Sequence, residues 1–177
     1  MAKENYHLVT GHVDLKSFGN WYLDCDFEVH PNPWSGFELL YEVDKQRYST
    51  ITEIAIARNI PTDLVDFLED RFNYLEQKVY AAHRISPGKI LPWHIDGYKK
   101  YCENRNITDL NQITRTIIFV EDWQPGHGLQ VGFETVPTWT QGDWISWQGG
   151  TPHLVLNLGQ VNRYTLQITG IRNDHSS

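Results

Sequence analysis

The sequence predicts a mainly β protein in which many short antiparallel strands form a sandwich or barrel, flanked by one helix. In the second half of the 177-residue chain, short apolar runs alternate with breaks rich in glycine and proline. Strands of this length with such punctuation are typical of two-sheet β folds. The clearest helical periodicity lies just before this region. The breaks fall at Pro125-Gly126, Pro137, Gln141-Gly142, Gly149-Gly150 and Gly159.

The helix is predicted over about residues 62–79. Thr62 is a suitable N-cap, and Asp63 favours the positive end of the helix dipole. Apolar residues then recur at roughly helical spacing, so we expect the helix to support a sheet and to carry no chemistry. Residues 1–60 before it form a predicted β-rich lead-in. The two strands predicted in the lead-in span residues 7–13 and 37–43.

The strands after the helix form the predicted core, residues 80–170. A chain of this length buries a sizeable core without disulfides, so residues 1–177 are predicted to form a single domain. The pattern fits a double-stranded β-helix, the jelly-roll fold of the cupins. Residues 97–112 are polar and are predicted to form a loop. The predicted core strands cover residues 80–86, 90–95, 115–121, 128–134, 138–140, 143–147, 153–158 and 163–169.

Composition excludes several classes of partner. The net charge is −7 and no run is rich in lysine or arginine, which argues against a nucleic-acid partner because phosphate contacts dominate that affinity. No apolar stretch approaches the length of a membrane span, and the first residues lack an apolar signal segment. Cys25 and Cys102 form no metal-ligand pair. We expect a cytoplasmic protein with a small-molecule or peptide substrate. Because the surface is acidic, long-range electrostatic attraction favours a basic or neutral substrate.

A metal site is predicted from three residues. His94 and Asp96 are separated by one residue on a predicted strand, so their side chains point to the same face. His153 opens a later strand and can add a second imidazole. Two histidines and one carboxylate on one face suit non-haem Fe(II) and leave three coordination positions open.

A co-substrate site is predicted from Arg163, the first residue of the last strand. Alternation places Arg163, Thr165 and Gln167 on one face, which we expect to line the pocket. An inward arginine in a small barrel is costly unless an anion pairs with it. A dicarboxylate co-substrate would provide that anion, and a salt bridge to a neighbouring carboxylate is the alternative. The apolar set expected to pack on the helix is Tyr164, Leu166 and Ile168.

A series of landmarks runs from residue 81 to residue 170. They are Ser86-Pro87-Gly88, Pro92-Trp93-His94, Arg115, Glu134-Thr135, Trp139, Gly142-Asp143, Pro152-His153, Asn157 and Arg163. In order and spacing this half of the chain resembles the aspartyl/asparaginyl β-hydroxylase group of iron- and 2-oxoglutarate-dependent oxygenases. The best-known members of that group lack the ligating carboxylate, whereas this chain carries Asp96.

The resemblance implies roles for individual residues. The two histidines of the candidate metal site would bind Fe(II), and Arg163 would hold the side-chain carboxylate of 2-oxoglutarate. Arg115 and His83 would lie at the co-substrate. The implied activity is that of a dioxygenase that consumes O₂ and 2-oxoglutarate, hydroxylates an amino-acid side chain, free or in a peptide, and releases succinate and CO₂.

Two other functions remain open. A cupin-type metalloenzyme would use the same metal ligands without 2-oxoglutarate and would not need Arg163. A non-catalytic jelly-roll binding module would keep the histidines as ordinary buried residues and bind a polymer through exposed rings. Fe(II) binding that depends on the three predicted ligands separates the enzymes from the module. The rings available to such a module are Trp34, Trp123 and Trp139.

Two further histidines are not expected to take part. His12 and Asp14 repeat the His-x-Asp pattern, but an irregular aromatic segment follows them instead of a series of strands. We therefore expect this pair at a solvated strand end or turn. His127 lies between two glycines and is expected to face solvent.

Overall fold

The computed structural model describes residues 8–31, 37–39 and 48–173. Two α-helices are assigned in these ranges, α1 (Thr62–Arg71) and α2 (Lys99–Glu103). Short 3₁₀ turns lie at Lys16–Phe18, Trp21–Asp24 and Leu110–Gln112. The strands are β1 (Val9–His12), β2 (Glu28–Pro31), β3 (Phe37–Leu39), β4 (Glu53–Ala57), β5 (Leu75–Ile85), β6 (Lys89–Asp96), β7 (Ile113–Phe119), β8 (His127–Val131), β9 (Glu134–Val136), β10 (Asp143–Gln148), β11 (His153–Asn157) and β12 (Arg163–Arg172).

The strands form two antiparallel sheets. The large sheet has seven strands in the order β1-β10-β7-β12-β5-β4-β2, and the small sheet has five in the order β3-β6-β11-β8-β9. From β5 to β12 the chain passes repeatedly between the two sheets, which is the topology of a double-stranded β-helix. The predicted fold class is confirmed. The lead-in contributes β1, β2 and β4 to the large sheet and β3 to the small one.

The large sheet buries a different set of residues on each face. Its outer face packs on α1, where Leu64 and Leu68 meet Leu166 and Ile168 of β12, all four completely buried. Each such side chain contributes about 1.5–3 kcal/mol through burial. The inner face carries the polar residues of β12, as alternation predicted. Arg163, Thr165 and Gln167 line a cavity between the sheets.

The helix is shorter than predicted. It ends at Arg71, and Leu75 to Val79 belong instead to β5. This strand pairs with β12, so that Leu75 lies opposite Arg172 and Val79 opposite Thr169. Apolar residues four apart satisfy a helical pattern, but pairing with a distant strand overrides it. Gln77 between them has φ 51°, in the left-handed region, next to an irregularity in the pairing.

Other boundaries also differ from prediction. Residues 138–140 form no strand, and the predicted strand 128–134 is divided into β8 and β9 at Gly132, whose φ is 54°. Strands β2 and β4 were not predicted. The predicted strands at 7–13 and 37–43 lie partly outside the described residues, and Trp34 lies outside them altogether. Neither described helix has the length and apolar character needed to span a membrane.

Candidate metal centre

The three predicted ligands come together on the small sheet. His94 and Asp96 lie on β6, and His153 on the neighbouring β11 pairs directly with His94. All three are buried, and their ligand atoms lie within 4.8 Å of one another. Nε2 of His94 is 3.5 Å from Oδ1 of Asp96, and Nε2 of His153 is 3.4 Å from Oδ2.

Backbone carbonyls orient both imidazole rings. Nδ1 of His94 lies 2.6 Å from the Pro92 carbonyl oxygen, and Nδ1 of His153 lies 3.1 Å from that of Thr151. A carbonyl oxygen only accepts, so each Nδ1 donates its hydrogen and each Nε2 carries the lone pair. This is how metal-binding histidines are usually held.

Arg115 reaches Asp96 from the opposite sheet. Its Nη2 atom lies 2.7 Å from Oδ2 of Asp96. Its Nε donates to the Tyr98 hydroxyl at 2.9 Å, and its Nη1 donates to Oε1 of Gln167. Each of the three guanidinium nitrogens of Arg115 therefore contacts a protein group: Asp96, Tyr98 or Gln167. Tyr98 adopts the left-handed conformation, with φ 46°, two residues after the end of β6.

The protonation states of these groups suit metal binding. Burial would raise the pKa of Asp96, but the charge of Arg115, followed by His153 and His94, holds it well below its usual range. Burial lowers the pKa of His153 to about 4. An ionised carboxylate and a neutral imidazole are the forms that coordinate a cation. The set of two imidazoles and one carboxylate fits Fe(II).

A cavity of about 480 Å³ opens on the three ligands, and Arg163 lies in its wall. Arg163 is 3% exposed, and its guanidinium carbon lies 5.2 Å from the centre of the Trp139 ring. Its Nε and Nη2 atoms are buried without a hydrogen-bond partner among the described residues. Burial lowers the pKa of Arg163 to about 10, with Glu121 opposing the shift, so the guanidinium stays charged at neutral pH. A carboxylate would fill the two vacant donors.

His83 also lines the cavity, on β5 between Ile56 of β4 and Thr165 of β12. Burial lowers its pKa to about 3, and the charge of Arg115 acts in the same direction, so the ring is neutral. The roles predicted for His83 and Arg115 at a co-substrate stay predictions. The structure adds that Arg115 contacts Asp96.

The second His-x-Asp pair lies away from this centre. His12 ends β1, its side chain is 54% exposed, and its Nδ1 lies 2.9 Å from Oδ1 of Asp143. Asp14 is exposed and accepts from the Lys16 amide in a turn.

The prediction that His127 faces solvent was wrong, because this residue is only 5% exposed. The turn at Gly126, φ 93°, precedes it, so His127 already alternates inward with the buried residues of β8.

The two described tryptophans that a binding module could use, Trp123 and Trp139, do not form an exposed surface. Trp139 is 6% exposed and stacks on Phe119, with ring centres 4.1 Å apart. Trp123 is partly buried and packs against the same cluster. The described rings therefore serve the core between the sheets.

Two residues of the site were not predicted from the sequence: Tyr98, which contacts Arg115, and Arg58, which lines the cavity. Gln167 was placed on the inward face but not assigned a partner. Arg58 continues the alternation of Ile54 and Ile56, a signal that becomes visible once β4 is recognised as a strand.

Comparison with solved structures agrees with the fold. A prolyl-4-hydroxylase from Pseudomonas putida is similar, with a TM-score of 0.59 and 16% identity, covering 96% of this chain and 94% of that protein. An oxidoreductase of the 2OG-Fe(II) oxygenase family from Burkholderia pseudomallei has a TM-score of 0.58 and 12% identity, covering 94% of this chain and 86% of that protein. No protein-family model and no curated protein matches the sequence. At these identities the likeness shows the fold.

Proposed function

We propose that the protein is a non-haem Fe(II)- and 2-oxoglutarate-dependent dioxygenase that hydroxylates an amino-acid side chain, free or in a peptide. The observation that carries the proposal is the pair of vacant, buried donors of Arg163 in the cavity that contains the His94, Asp96 and His153 cluster. Two structural neighbours whose names describe a prolyl-4-hydroxylase and a 2OG-Fe(II) oxygenase support it.

The protein would supply ligands, orientation and exclusion of water. His94, Asp96 and His153 would hold the metal from one side and leave the side facing the cavity for co-substrate and O₂. Fe(II) and 2-oxoglutarate, when bound, supply the oxidation, in which C–H, O₂ and 2-oxoglutarate give C–OH, succinate and CO₂. Arg163 would fix the distal carboxylate of 2-oxoglutarate through its planar fork. Apolar walls, among them Leu129 and Trp147, exclude water from the reaction.

A cupin-type metalloenzyme without 2-oxoglutarate fits the metal ligands but not Arg163. Such an enzyme would keep a charged guanidinium buried with two donors unfilled, which is costly. The cavity therefore favours the dioxygenase. Membership in the aspartyl/asparaginyl β-hydroxylase group, suggested by the sequence landmarks, stays a prediction.

Calorimetric titration with 2-oxoglutarate under anaerobic conditions tests this proposal. The dioxygenase is expected to bind one 2-oxoglutarate per chain when Fe(II) is present, and to bind it at least about tenfold more weakly without metal. The difference arises because chelation to the metal adds to the contact with Arg163. His12→Ala should bind 2-oxoglutarate like the wild-type protein, since that histidine lies outside the cavity. If the protein binds iron but its binding of 2-oxoglutarate does not depend on the metal, the cupin-type metalloenzyme without 2-oxoglutarate is the remaining function.

A further inference from the structure

We propose that the cavity contains a second anion site at Arg58, and that the molecule oxidised is a small organic anion, a carboxylate or a phosphate ester, held there. For an amino-acid substrate this means a free amino acid rather than a residue within a peptide. The assignment rests on the proposed function and names the substrate class of the same cavity.

Arg58 enters the cavity from the inner face of the large sheet. It directly follows β4, and alternation puts it on the same face as Ile54 and Ile56, which line the cavity with it. Because Ala57 pairs with Ala82, Arg58 comes level with Ala81 of β5. Gln167 of β12 pairs with Ala81, so the arginine lies two strands, about 10 Å, from Gln167.

Arg58 and Arg163 approach the cavity from different corners. Arg163 precedes Gln167 by four residues on β12, about 13 Å along the strand. Combined with the offset of two strands, the Cα atoms of the two arginines are about 16 Å apart. One cation can thus hold the distal carboxylate of 2-oxoglutarate while the other stays available to a second ligand.

The charge of the cavity is opposite to that of the chain. The net charge of the protein is −7, yet three arginines line the cavity, and Asp96 is the one carboxylate among the described lining residues. Asp96 is paired with Arg115 and belongs to the metal centre. Glu121 lies near Arg163 but does not line the cavity, so Arg163 and Arg58 remain as the positive charges that face the cavity and are available to a dicarboxylate and one further anion. Low-dielectric walls concentrate that field on a negative ligand.

The surroundings of Arg58 keep its guanidinium accessible. The residue is exposed, and no salt bridge to it is found within the described part of the chain. His30 of β2 pairs with Ile54 and lines the same side of the cavity, with its ring 40% exposed. Oε2 of Glu28 lies 3.9 Å from Nε2 of His30, but Glu28 is 80% exposed and does not line the cavity. An anion entering from solvent would meet Arg58 and His30 before the metal centre.

The size of the cavity agrees with a small ligand. Its 480 Å³ lies at the lower end of the range for small-molecule sites, and 2-oxoglutarate must share it. An extended peptide would have to bring uncharged backbone past Arg58. A free carboxylate offers the guanidinium two charge-assisted hydrogen bonds at the same position.

The test measures anion binding to protein loaded anaerobically with Fe(II) and 2-oxoglutarate, by calorimetry. The probes are free amino acids and small organic acids, each paired with its uncharged amide, together with inorganic phosphate. At least one acid is expected to bind about tenfold or more tightly than its amide, and Arg58→Gln is expected to remove that advantage. Arg58→Lys should retain part of it. Arg71→Gln on α1 removes the same charge outside the cavity and should change nothing.

Each outcome decides the assignment. Phosphate binding that depends on Arg58, without acid binding, identifies a phosphate ester as the anion. Two results would overturn the anion site. In the first, the acids bind no better than their amides and phosphate does not bind. In the second, anions bind but Arg58→Gln leaves their binding unchanged. In either case 2-oxoglutarate binding that still depends on Arg163 shows that the proposed function stands. A wild-type protein that binds no 2-oxoglutarate contradicts the proposed function and this assignment with it.

Discussion

Nη2 of Arg115 lies 2.7 Å from Oδ2 of Asp96 and joins the two sheets across the cavity. Burial alone would lower the pKa of Arg115, but Asp96 and then Tyr98 raise it above its usual value. The pair keeps the carboxylate ionised before any metal binds. The arginine thus prepares the ligand, and the metal would later share the negative charge with it.

Removing this arginine should destabilise the metal-free protein. Arg115→Gln leaves Asp96 buried without its cation, and breaking one side of a buried pair costs about 3–5 kcal/mol. Urea unfolding with a chelator present measures the free energy of unfolding, and saturating Fe(II) under anaerobic conditions should restore part of it by giving Asp96 a new cation. Arg71→Gln is the control, since exposed substitutions change stability by about 0.5 kcal/mol or less. Equal effects of the two substitutions would show that the pair contributes little.

The three ligands should each be required for iron. His94→Ala, Asp96→Ala and His153→Ala are expected to weaken Fe(II) binding by more than the roughly 10–100-fold that losing a supporting hydrogen bond costs. Anaerobic equilibrium dialysis measures the dissociation constant. His12→Ala and Asp14→Ala repeat the same changes at the exposed pair and should have no effect. A loss of iron binding at the second pair instead of the first would refute the location of the site.

Asn157 should be important for stability. Its Nδ2 donates to the carbonyl oxygens of Ile85 and Val161, each at 2.8 Å, and its Oδ1 accepts from the Gly159 amide at 3.0 Å. Asn157 is completely buried, so Asn157→Leu leaves those backbone groups unsatisfied. We expect a loss of about 3 kcal/mol in the free energy of unfolding.

The control for this prediction is Asn162→Leu in the following loop, where the amide donates to the Tyr164 hydroxyl at 3.2 Å and to no other group among the described residues. Chemical denaturation of both variants measures the difference. A cost at Asn157 no larger than that at Asn162 would contradict the importance of the buried network.

Two glycines should respond differently to alanine. Gly88 and Gly142 both have positive φ, 75° and 91°. An added Cβ meets nothing within 4 Å at Gly88, but lies 2.0 Å from the Val13 carbonyl oxygen at Gly142. Gly88→Ala is expected to cost about 1–2 kcal/mol from conformation alone, and Gly142→Ala about 3 kcal/mol or more. Thermal unfolding compares them, and equal costs would mean that the contact with Val13 relaxes freely.

Much of the fold follows from local sequence patterns. Turn residues and alternation predicted most of the core strands, and on β12 they predicted which residues face the cavity. The helix was extended too far because Leu75 and Val79 fit both periodicities, and only pairing with β12 decides between them. Strands β2 and β4 were missed within the lead-in because they pair with each other across a long intervening segment, and β4 pairs in turn with β5 beyond the helix.

The parts of the site that lie on one strand could be predicted from the sequence. The contacts between residues of different sheets could not. His94 and Asp96 share a face because they are two residues apart, which the sequence shows directly. The contact of Arg115 with Asp96 crosses from β7 to β6, which belong to different sheets, and no local pattern encodes it. Tyr98 reaches the same cluster because Tyr98 itself, and not Gly97 before it, adopts the left-handed backbone, which no sequence pattern predicts.

The most direct test of the account is an anaerobic titration of the Fe(II)-loaded protein with 2-oxoglutarate, followed by visible spectroscopy. Chelation of the metal by the co-substrate should produce a charge-transfer band in the wild-type protein. Arg163→Gln should need about tenfold or more 2-oxoglutarate to reach the same band, while its Fe(II) affinity stays unchanged. Bound iron without a band, or a band with the same dependence on 2-oxoglutarate in both proteins, would contradict the assignment of Arg163 and of the co-substrate.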